Sequence, residues 1–156
     1  RITSPEQLPQ AAEKAFEFDN EITLEEEIPG REVGCAVLGA EKLILGRVDL
    51  IQSPGLFDYN EKYNPKESKI YMPAPIAPEL EERIQQTAAV LYRLLGCSGF
   101  ARVDMFLTPQ NQIVFNEINT IPGLTAHSRF PNMMKGAGLE LKEVMRVLIE
   151  LSLKNE

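Results

Sequence analysis

The sequence predicts an α+β domain in which helices pack against a mainly antiparallel sheet. Short segments rich in branched apolar residues are separated by Pro-Gly, Gly-Ala or Pro-Gln-Asn turns, which favours antiparallel strands with tight connections. One long segment carries apolar residues at helical spacing, and a second amphipathic segment lies near the end of the sequence. The 156 residues suffice for one sizeable core, so one domain is expected.

The composition disfavours several classes of partner. With 44% hydrophobic and 25% charged residues, the chain is typical of globular domains. A net charge of -7 disfavours nucleic acid and anionic membrane surfaces, because both select for clustered Lys and Arg. No apolar run approaches the roughly 20 residues of a membrane span, and no signal peptide is evident, so a cytoplasmic setting is expected. Cys35 and Cys97 lack CxxC spacing and are predicted to be reduced, buried thiols.

The first third of the sequence predicts a helix followed by strands. Ser4 at a cap, Pro5 in the first turn and Gln7 at capping-box spacing predict a helix that ends near residue 20. Residues 21–28, 32–39 and 41–51 are predicted to form a meander of three antiparallel strands.

The remaining segments follow from turn residues and periodicity. Residues 53–68 are rich in Pro, Gly, Asn and Asp, and they predict a long loop of the kind that often serves as a lid. A helix is predicted from Pro78 to a cap at Gly96. Residues 99–108 and 112–119 then predict a hairpin, followed by a loop and a helix over about 140–153.

Four polar side chains collect on one face of the predicted hairpin. Alternation places Arg102 and Asp104 on one face of their strand, and Glu117 and Asn119 share a face of the partner strand. Carboxylate and amide oxygens of this kind suit Mg²⁺. The spacing alone is more typical of a solvated sheet face with an Arg-carboxylate pair.

The loop that follows the hairpin carries many hydrogen-bonding groups. Backbone N–H groups near Gly123, the hydroxyls of Thr125 and Ser128 and the imidazole of His127 could receive an anion or a carboxylate. A hydroxyl-rich surface turn is the plain alternative, and a lone histidine is more often structural than catalytic.

Three glutamates precede a Pro-Gly turn upstream, at residues 25–27. Such a run usually marks a solvated strand end. A strand that enters a turn here could nevertheless offer adenine backbone contacts, and Glu32 could accept hydrogen bonds from a ribose.

Taken together, these residues resemble the D-alanine:D-alanine ligase family of ATP-grasp enzymes, including the vancomycin-resistance ligases. The segments that carry the resemblance are "LEEEIPGREVGCAVLG", "GLFDYNEKY", "GCSGFARVDMF" and "FNEINTIPGLTAHSRFPNMM". The resemblance implies that residues 25–156 form the carboxy-terminal ATP-grasp domain with a long lid loop. Residues 1–24 would be the tail of the central domain.

The resemblance implies a nucleotide site on this chain. Glu25, Glu26 and the backbone of Ile28 would contact adenine, and Glu32 would hold the ribose hydroxyls. Lys62, in the predicted lid, would reach the γ-phosphate.

The resemblance also implies metal and substrate sites. Asp104, Glu117 and Asn119 would bind two Mg²⁺ ions, with Mn²⁺ as an alternative, and these ions would hold the phosphates of ATP. Arg102 and the Gly123 N–H would stabilise the oxyanion, and Tyr63 would latch the lid loop over the site. Ser128 would bind the carboxylate of the second amino acid, and Arg129 would bind that same substrate.

The family reaction joins two D-amino acids. ATP phosphorylates the first D-alanine, and the amine of the second residue attacks the acylphosphate to give a peptidoglycan precursor dipeptide for cell-wall biogenesis. Tyr63 after Lys62 disfavours a lactate-adding enzyme. Arg129 stands where plain D-alanine ligases commonly carry Leu or Met, which resembles the D-alanine:D-serine subgroup associated with vancomycin resistance. The family commonly forms homodimers.

The chain also departs from the family pattern. The amino-terminal domain and the first part of the central domain do not precede Arg1, so we expect no ligase activity from this chain alone. The loop from Gly55 to Lys62 is one residue shorter than in common D-alanine ligases. Two alternatives stay open, namely another ATP-grasp carboxylate-amine ligase and a noncatalytic nucleotide-binding module.

Overall fold

The computed structural model describes residues 1–52 and 69–154, and in this part of the chain six strands form one sheet. All strand pairs are antiparallel, and the order is β4-β3-β1-β5-β6, with β2 paired to the end of β1. The strands are β1 Arg31–Gly39, β2 Leu43–Leu45, β3 Asp49–Gln52, β4 Lys69–Tyr71, β5 Gly99–Leu107 and β6 Ile113–Asn119.

The same ranges contain a 3₁₀ turn at Pro5–Gln7 and four α-helices. The helices are α1 Leu8–Phe16, α2 Pro78–Leu94, α3 Arg129–Gly136 and α4 Leu141–Lys154. None of these helices has both the length and the apolar character needed to cross a membrane. Together with the sheet they confirm the predicted α+β class.

Helix α2 covers one face of the sheet. Odd-numbered residues of β1 and β5, such as Val33 and Met105, pack there with Ile84 and Tyr92 of the helix. Tyr92 is fully buried, and its Oη donates a hydrogen bond to the carbonyl of Gly39 at 2.8 Å. This layer is therefore the larger apolar core.

Helices α3 and α4 cover part of the opposite face. Ala36 and Leu38 of β1 pack there against Phe130, Met133 and Val144. Toward the start of β1 the even-numbered positions on this face change to Gly34 and Glu32. The sheet is thus apolar under the helices and polar beside the first residue of α3.

Several predicted elements are confirmed. The hairpin of β5 and β6 has the expected strands, and α2 is followed by Gly96 with a φ of +66°, a conformation that glycine adopts without strain. The closing helix α4 spans nearly the predicted residues.

The predicted strand at 21–28 is wrong, and the predicted strand at 41–51 is confirmed only as two shorter strands, β2 and β3. Residues 21–28 join no ladder in the described part of the chain, and Leu24 is 72% exposed. Segment 41–51 is interrupted at Gly46. The Gly46 N–H bonds to Ala36 O at 2.8 Å, and the Arg47 N–H turns to Met133 O at 3.0 Å. A side chain at position 46 would crowd Ala36 and Met133 at 3.0 Å.

Helix α3 was not predicted, and the first helix begins differently than expected. Pro131 sits in the first turn of α3, where a missing N–H costs nothing, and Phe130, Met133 and Met134 are buried at helical spacing. The apolar residues at positions 130, 133 and 134 were the sequence signal from which this short helix could have been predicted. Ser4 makes no capping bond, and the Thr3 N–H donates to Gln7 Oε1 at 2.7 Å.

An ion pair fixes the interruption between β2 and β3. Arg47 donates two hydrogen bonds to Glu81 of α2, at 2.7 and 3.0 Å, and the Val48 N–H donates to the same carboxylate at 3.1 Å. Burial tends to raise the pKa of Glu81, but the bonds from Arg47 and Val48 outweigh it, so the pKa lies below its ordinary value.

We predict that Glu81→Gln lowers the free energy of unfolding at pH 7 by about 1–2 kcal/mol, because charge-assisted bonds are lost. The contribution of Glu81 exists above about pH 4.5 and is lost as the pH falls through its lowered pKa. The difference between wild type and variant should therefore shrink in acid. Urea unfolding from pH 7 to pH 3 measures it. The matched control is Glu82→Gln, which changes the exposed neighbouring residue. An equal loss of stability in this control would contradict the stabilising role of Glu81.

Candidate functional site

Two carboxylates face each other across the β5-β6 hairpin. Asp104 pairs with Glu117, and Arg102 pairs with Asn119, so all four predicted side chains share one face. Asp104 is 1% exposed, whereas Glu117 is exposed and Asn119 is half-buried. The register shifts directly after Asp104, which leaves Asn116 as an extra residue in β6. Bulges of this kind often lie next to functional sites.

Arg102 neutralises part of this acidic charge. Its Nε lies 2.9 and 3.0 Å from the two oxygens of Asp104, and its Nη2 lies 2.7 Å from Oδ2. Asn119 Oδ1 accepts a hydrogen bond from the Ile121 N–H at 3.1 Å. The NH₂ group of Asn119 takes no part in that bond.

The side-chain chemistry fits a divalent cation. Like charges directly opposite on neighbouring strands repel unless a cation lies between them, and Asp104 and Glu117 are such a pair. Mg²⁺ commonly takes only one or two carboxylates and completes its shell with water and phosphate oxygens. Among the described residues, no three His, Cys, Asp or Glu side chains form a complete metal cage by themselves. The donor set thus suits an ion shared with a phosphate ligand.

A second arginine lies among three carboxylates at the start of α3. Arg129 donates to Asp49 from Nε at 2.7 Å and from Nη2 at 2.8 Å, and to Glu32 from Nη1 at 3.0 Å. Its Nη2 also lies 3.3 Å from Asp104 Oδ1. The arginine side chain is only 13% exposed. The guanidinium therefore joins β1, β3 and β5 at one point.

Gly34 provides the space for this guanidinium. A Cβ at Gly34 would lie 2.5 Å from Arg129 Nη2 and 2.9 Å from carboxylate oxygens of Asp104 and Asp49. The Gly34 N–H donates to Asp49 Oδ1 at 3.0 Å. Asp49 thus accepts three hydrogen bonds and is the anchor of the cluster.

Burial and charge act in opposite directions on this cluster. Burial raises the pKa of Glu32, and the positive charge of Arg129 offsets only part of that rise. Burial disfavours the charged form of Arg129, but its bonds to Asp49 outweigh this, and the pKa of Arg129 is raised. The guanidinium stays charged, and its charge counteracts part of the effect of burial on the pKa of Glu32.

The predicted nucleotide residues line one cleft of about 800 Å³. Glu25, Glu26, Ile28 and Glu32 lie along it, and Ile51, Phe106, Val114 and Phe115 supply apolar wall. Polar and apolar residues thus share the lining, so the cleft offers both an apolar surface and hydrogen-bonding groups to a small molecule.

The loop at 122–128 is held by its own hydroxyls. Ser128 Oγ accepts the Thr125 N–H at 3.1 Å and lies 2.8 Å from Thr125 Oγ1. A Cβ at Gly123 would lie 2.7 Å from Ser128 Oγ, so the predicted oxyanion and carboxylate groups are neighbours. Asn132 donates to the carbonyls of Ala126 and Ser128 at 3.1 and 2.8 Å. His127 is exposed.

Two of the predicted site residues lie outside the described part of the chain, and two described residues at the site were not predicted. Lys62 and Tyr63 fall outside the described residues, so their roles stay predictions. Asp49 and Asn132 were not singled out from the sequence. A charged residue inside the apolar run "RVDLI" was the available signal for Asp49, because a buried carboxylate needs a partner.

Comparison with known proteins decides the family. The model of the family described as "D-ala D-ala ligase C-terminus" matches residues 1–150. The chain belongs to this family. Its resemblance to D-alanine:D-alanine ligases, inferred from the motifs, is confirmed.

Named relatives agree with this family. VanC2, the vancomycin C-type resistance protein of Enterococcus casseliflavus, is 39% identical over 153 residues, which cover 97% of this chain and 44% of that protein. The crystal structure of VanG D-Ala:D-Ser ligase from Enterococcus faecalis is 60% identical with a TM-score of 0.84, over 95% of this chain and 43% of that chain. The D-alanine–D-alanine ligase from Bacillus anthracis complexed with ATP is 26% identical with a TM-score of 0.79, over 98% and 48%.

The chain spans less than half the length of the curated relatives it matches. The likeness to the D-Ala-D-Ala ligase structures confirms the predicted ATP-grasp carboxy-terminal fold.

We predict that Asp49→Ala destabilises the protein by about 3 kcal/mol or more, because Arg129 loses its two-point partner while buried. Thermal and urea unfolding measure the change. Asp19→Ala removes an exposed aspartate that also accepts backbone N–H groups, and it should cost far less. Equal losses for both variants would show that the buried cluster has no special weight.

We predict that Gly34→Ala costs about 1–3 kcal/mol, because the new methyl group displaces the Arg129 guanidinium. The cost should be smaller when Arg129→Leu is already present, since part of the clash is then gone. A double-mutant cycle on unfolding free energy measures this coupling. Strictly additive effects would mean that Arg129 is not the group that Gly34 accommodates.

Proposed function

We propose that the full-length protein that carries this chain is an ATP-dependent ligase that joins D-alanine to a second D-amino acid. The product would be a peptidoglycan precursor dipeptide. The observation that carries the proposal is the convergence of Asp104, Glu117 and Arg102 on one face of the sheet, where Asp104 meets the cluster that includes Glu32 of the cleft.

Each residue has a chemical task in this reaction. Glu25, Glu26 and Ile28 hold adenine in the cleft, and Glu32 accepts hydrogen bonds from the ribose hydroxyls. Asp104, Glu117 and Asn119 hold two Mg²⁺ ions, or Mn²⁺ in their place. When bound, the ions supply positive charge that offsets the charge on the phosphates.

The bond changes are those of a carboxylate-amine ligation. The γ-phosphoryl group passes from ATP to a carboxylate oxygen of the first D-alanine, which leaves ADP. The amine of the second amino acid attacks the carbonyl carbon, phosphate departs, and the amine loses a proton. Arg102 and the Gly123 N–H stabilise negative charge on the carbonyl oxygen, and Ser128 holds the carboxylate of the second substrate. Lys62 and Tyr63, if placed as the family pattern suggests, complete the phosphate contacts and the lid.

D-Serine is the second substrate that Arg129 favours. A buried polar group rewards a substrate hydroxyl in a way that an apolar side chain does not. The named function of the 60% identical VanG structure supports the same choice. D-Alanine is the alternative second substrate, and association with vancomycin resistance depends on use of D-serine.

Three further features belong to the proposal. Residues 1–24 are the end of a central domain and residues 25–156 the carboxy-terminal domain. The full-length protein is a homodimer in the cytoplasm, by resemblance to the family.

The experiment is a ligase assay on the full-length protein with D-Ala, D-Ser and ATP, following ADP and dipeptide together. Chelation of divalent ions should abolish turnover, and Mg²⁺ should restore it. Glu117→Gln should lower kcat at least about 100-fold, because a metal contact worth several kcal/mol is lost. Arg129→Leu should lower the kcat/KM ratio for D-Ser over D-Ala about tenfold.

The outcomes separate the alternatives. ATP binding without dipeptide formation would favour a nucleotide-binding module, and dipeptide formation only with other acceptors would favour another ATP-grasp ligase. An unchanged substrate ratio in Arg129→Leu would remove Arg129 from the account of specificity.

A further inference from the structure

One guanidinium contacts carboxylates that have different proposed tasks. Glu32 lines the nucleotide cleft, and its Oε1 accepts a hydrogen bond from Arg129 Nη1 at 3.0 Å. Among the described residues, those that line the cleft include Glu32 but not Arg129. Arg129 therefore contacts a residue of the cleft through Glu32 without lining the cleft itself.

The contacts of Arg129 differ in how firmly they are held. Asp49 accepts from Nε, from Nη2 and from the Gly34 N–H, and it is 1% exposed. This bidentate pair sets the plane of the guanidinium. The direction of Nη1 is then fixed, and Nη1 points at the Glu32 carboxylate. The Glu32 side chain is 17% exposed.

Glu32 needs this partner more than an exposed carboxylate would. Glu32 is the first residue of β1 on the face that carries the cluster, and it pairs with the apolar Phe106 of β5. Burial beside apolar groups disfavours an ionised carboxylate unless a cation lies close by. Among residues 1–52 and 69–154, the cation in contact with it is Arg129.

We infer that Arg129 is a positioning residue for nucleotide binding, because its Nη1 holds the Glu32 carboxylate in the orientation that meets the ribose hydroxyls. The inference rests on the proposed nucleotide site and adds to it a role for Arg129 that is separate from the choice of the second amino acid. It follows that the nucleotide site and the second-substrate site are energetically coupled through one side chain.

The test compares two nucleotides that differ only in the groups Glu32 would bind. Calorimetric titration of the full-length protein with Mg²⁺ and either ADP or 2′,3′-dideoxy-ADP gives two dissociation constants without turnover. Wild type should prefer ADP about tenfold or more, because hydrogen bonds to a charged acceptor are lost in the analogue. Arg129→Met should reduce this preference to about twofold, as should Glu32→Gln, and the double variant should show no further loss.

Two more variants keep the test decisive. Arg129→Lys keeps a buried positive charge near Asp49 but lacks the Nη1 arm, so it should lose the preference even if Arg129→Met fails to fold. Arg47→Leu removes another carboxylate-paired arginine that does not line the cleft in the described structure, and it should keep the wild-type preference.

The possible failures are distinguishable. If wild type binds both nucleotides equally, the assignment of Glu32 to the ribose is wrong, and with it that part of the proposed function. If wild type prefers ADP tenfold and both Arg129 variants keep that preference, Glu32 is positioned without Arg129 and the inference is overturned. A loss in Arg47→Leu equal to that in the Arg129 variants would mark a general effect of lost stability, and would also overturn it.

Discussion

The site depends on the burial of one arginine among three carboxylates. Arg129, Asp49, Glu32 and Asp104 come from α3, β3, β1 and β5, so the side-chain contacts of a single guanidinium bring four elements together. Buried charges are costly unless they are paired and hydrogen-bonded. The packing around them accommodates this requirement: Gly34 leaves room for the guanidinium, Asp49 follows the break in the strand, and α3 begins at Arg129.

The apolar layers hold in place the two elements that carry Arg129 and Asp49, namely α3 and β3. Phe130, Met133 and Met134 anchor α3 on the sheet directly after Arg129. On the other face, Glu81 of α2 holds Arg47 and the Val48 N–H, which fixes the backbone directly before β3 starts at Asp49. Both helices therefore determine where Asp49 and Arg129 meet. Polar groups placed by rigid, well-packed elements are held more precisely than groups on loops.

The acidic face and the arginines form one electrostatic unit. Arg102 and Arg129 both contact Asp104, and Glu117 lies opposite it with a further negative charge. Two guanidinium groups against four carboxylates leave the unit negative, which favours a divalent cation bound together with phosphate oxygens. Arg129 contacts three carboxylates and Asp104 contacts two arginines, so the proposed nucleotide and metal sites share charged groups.

The sequence by itself determined the elements with a regular local period. The twofold alternation of strands placed Arg102, Asp104, Glu117 and Asn119 on one face, and the helical spacing after Pro78 gave α2, because both periods follow from backbone geometry. The motifs also gave the family. Only the tertiary structure decided that Arg129 meets Asp49 and Glu32, which lie 80 and 97 residues away in sequence. It also decided that residues 25–28 border a cleft and that residues 21–28 pair with none of the described strands. Such contacts arise from packing between distant segments, which no local period encodes.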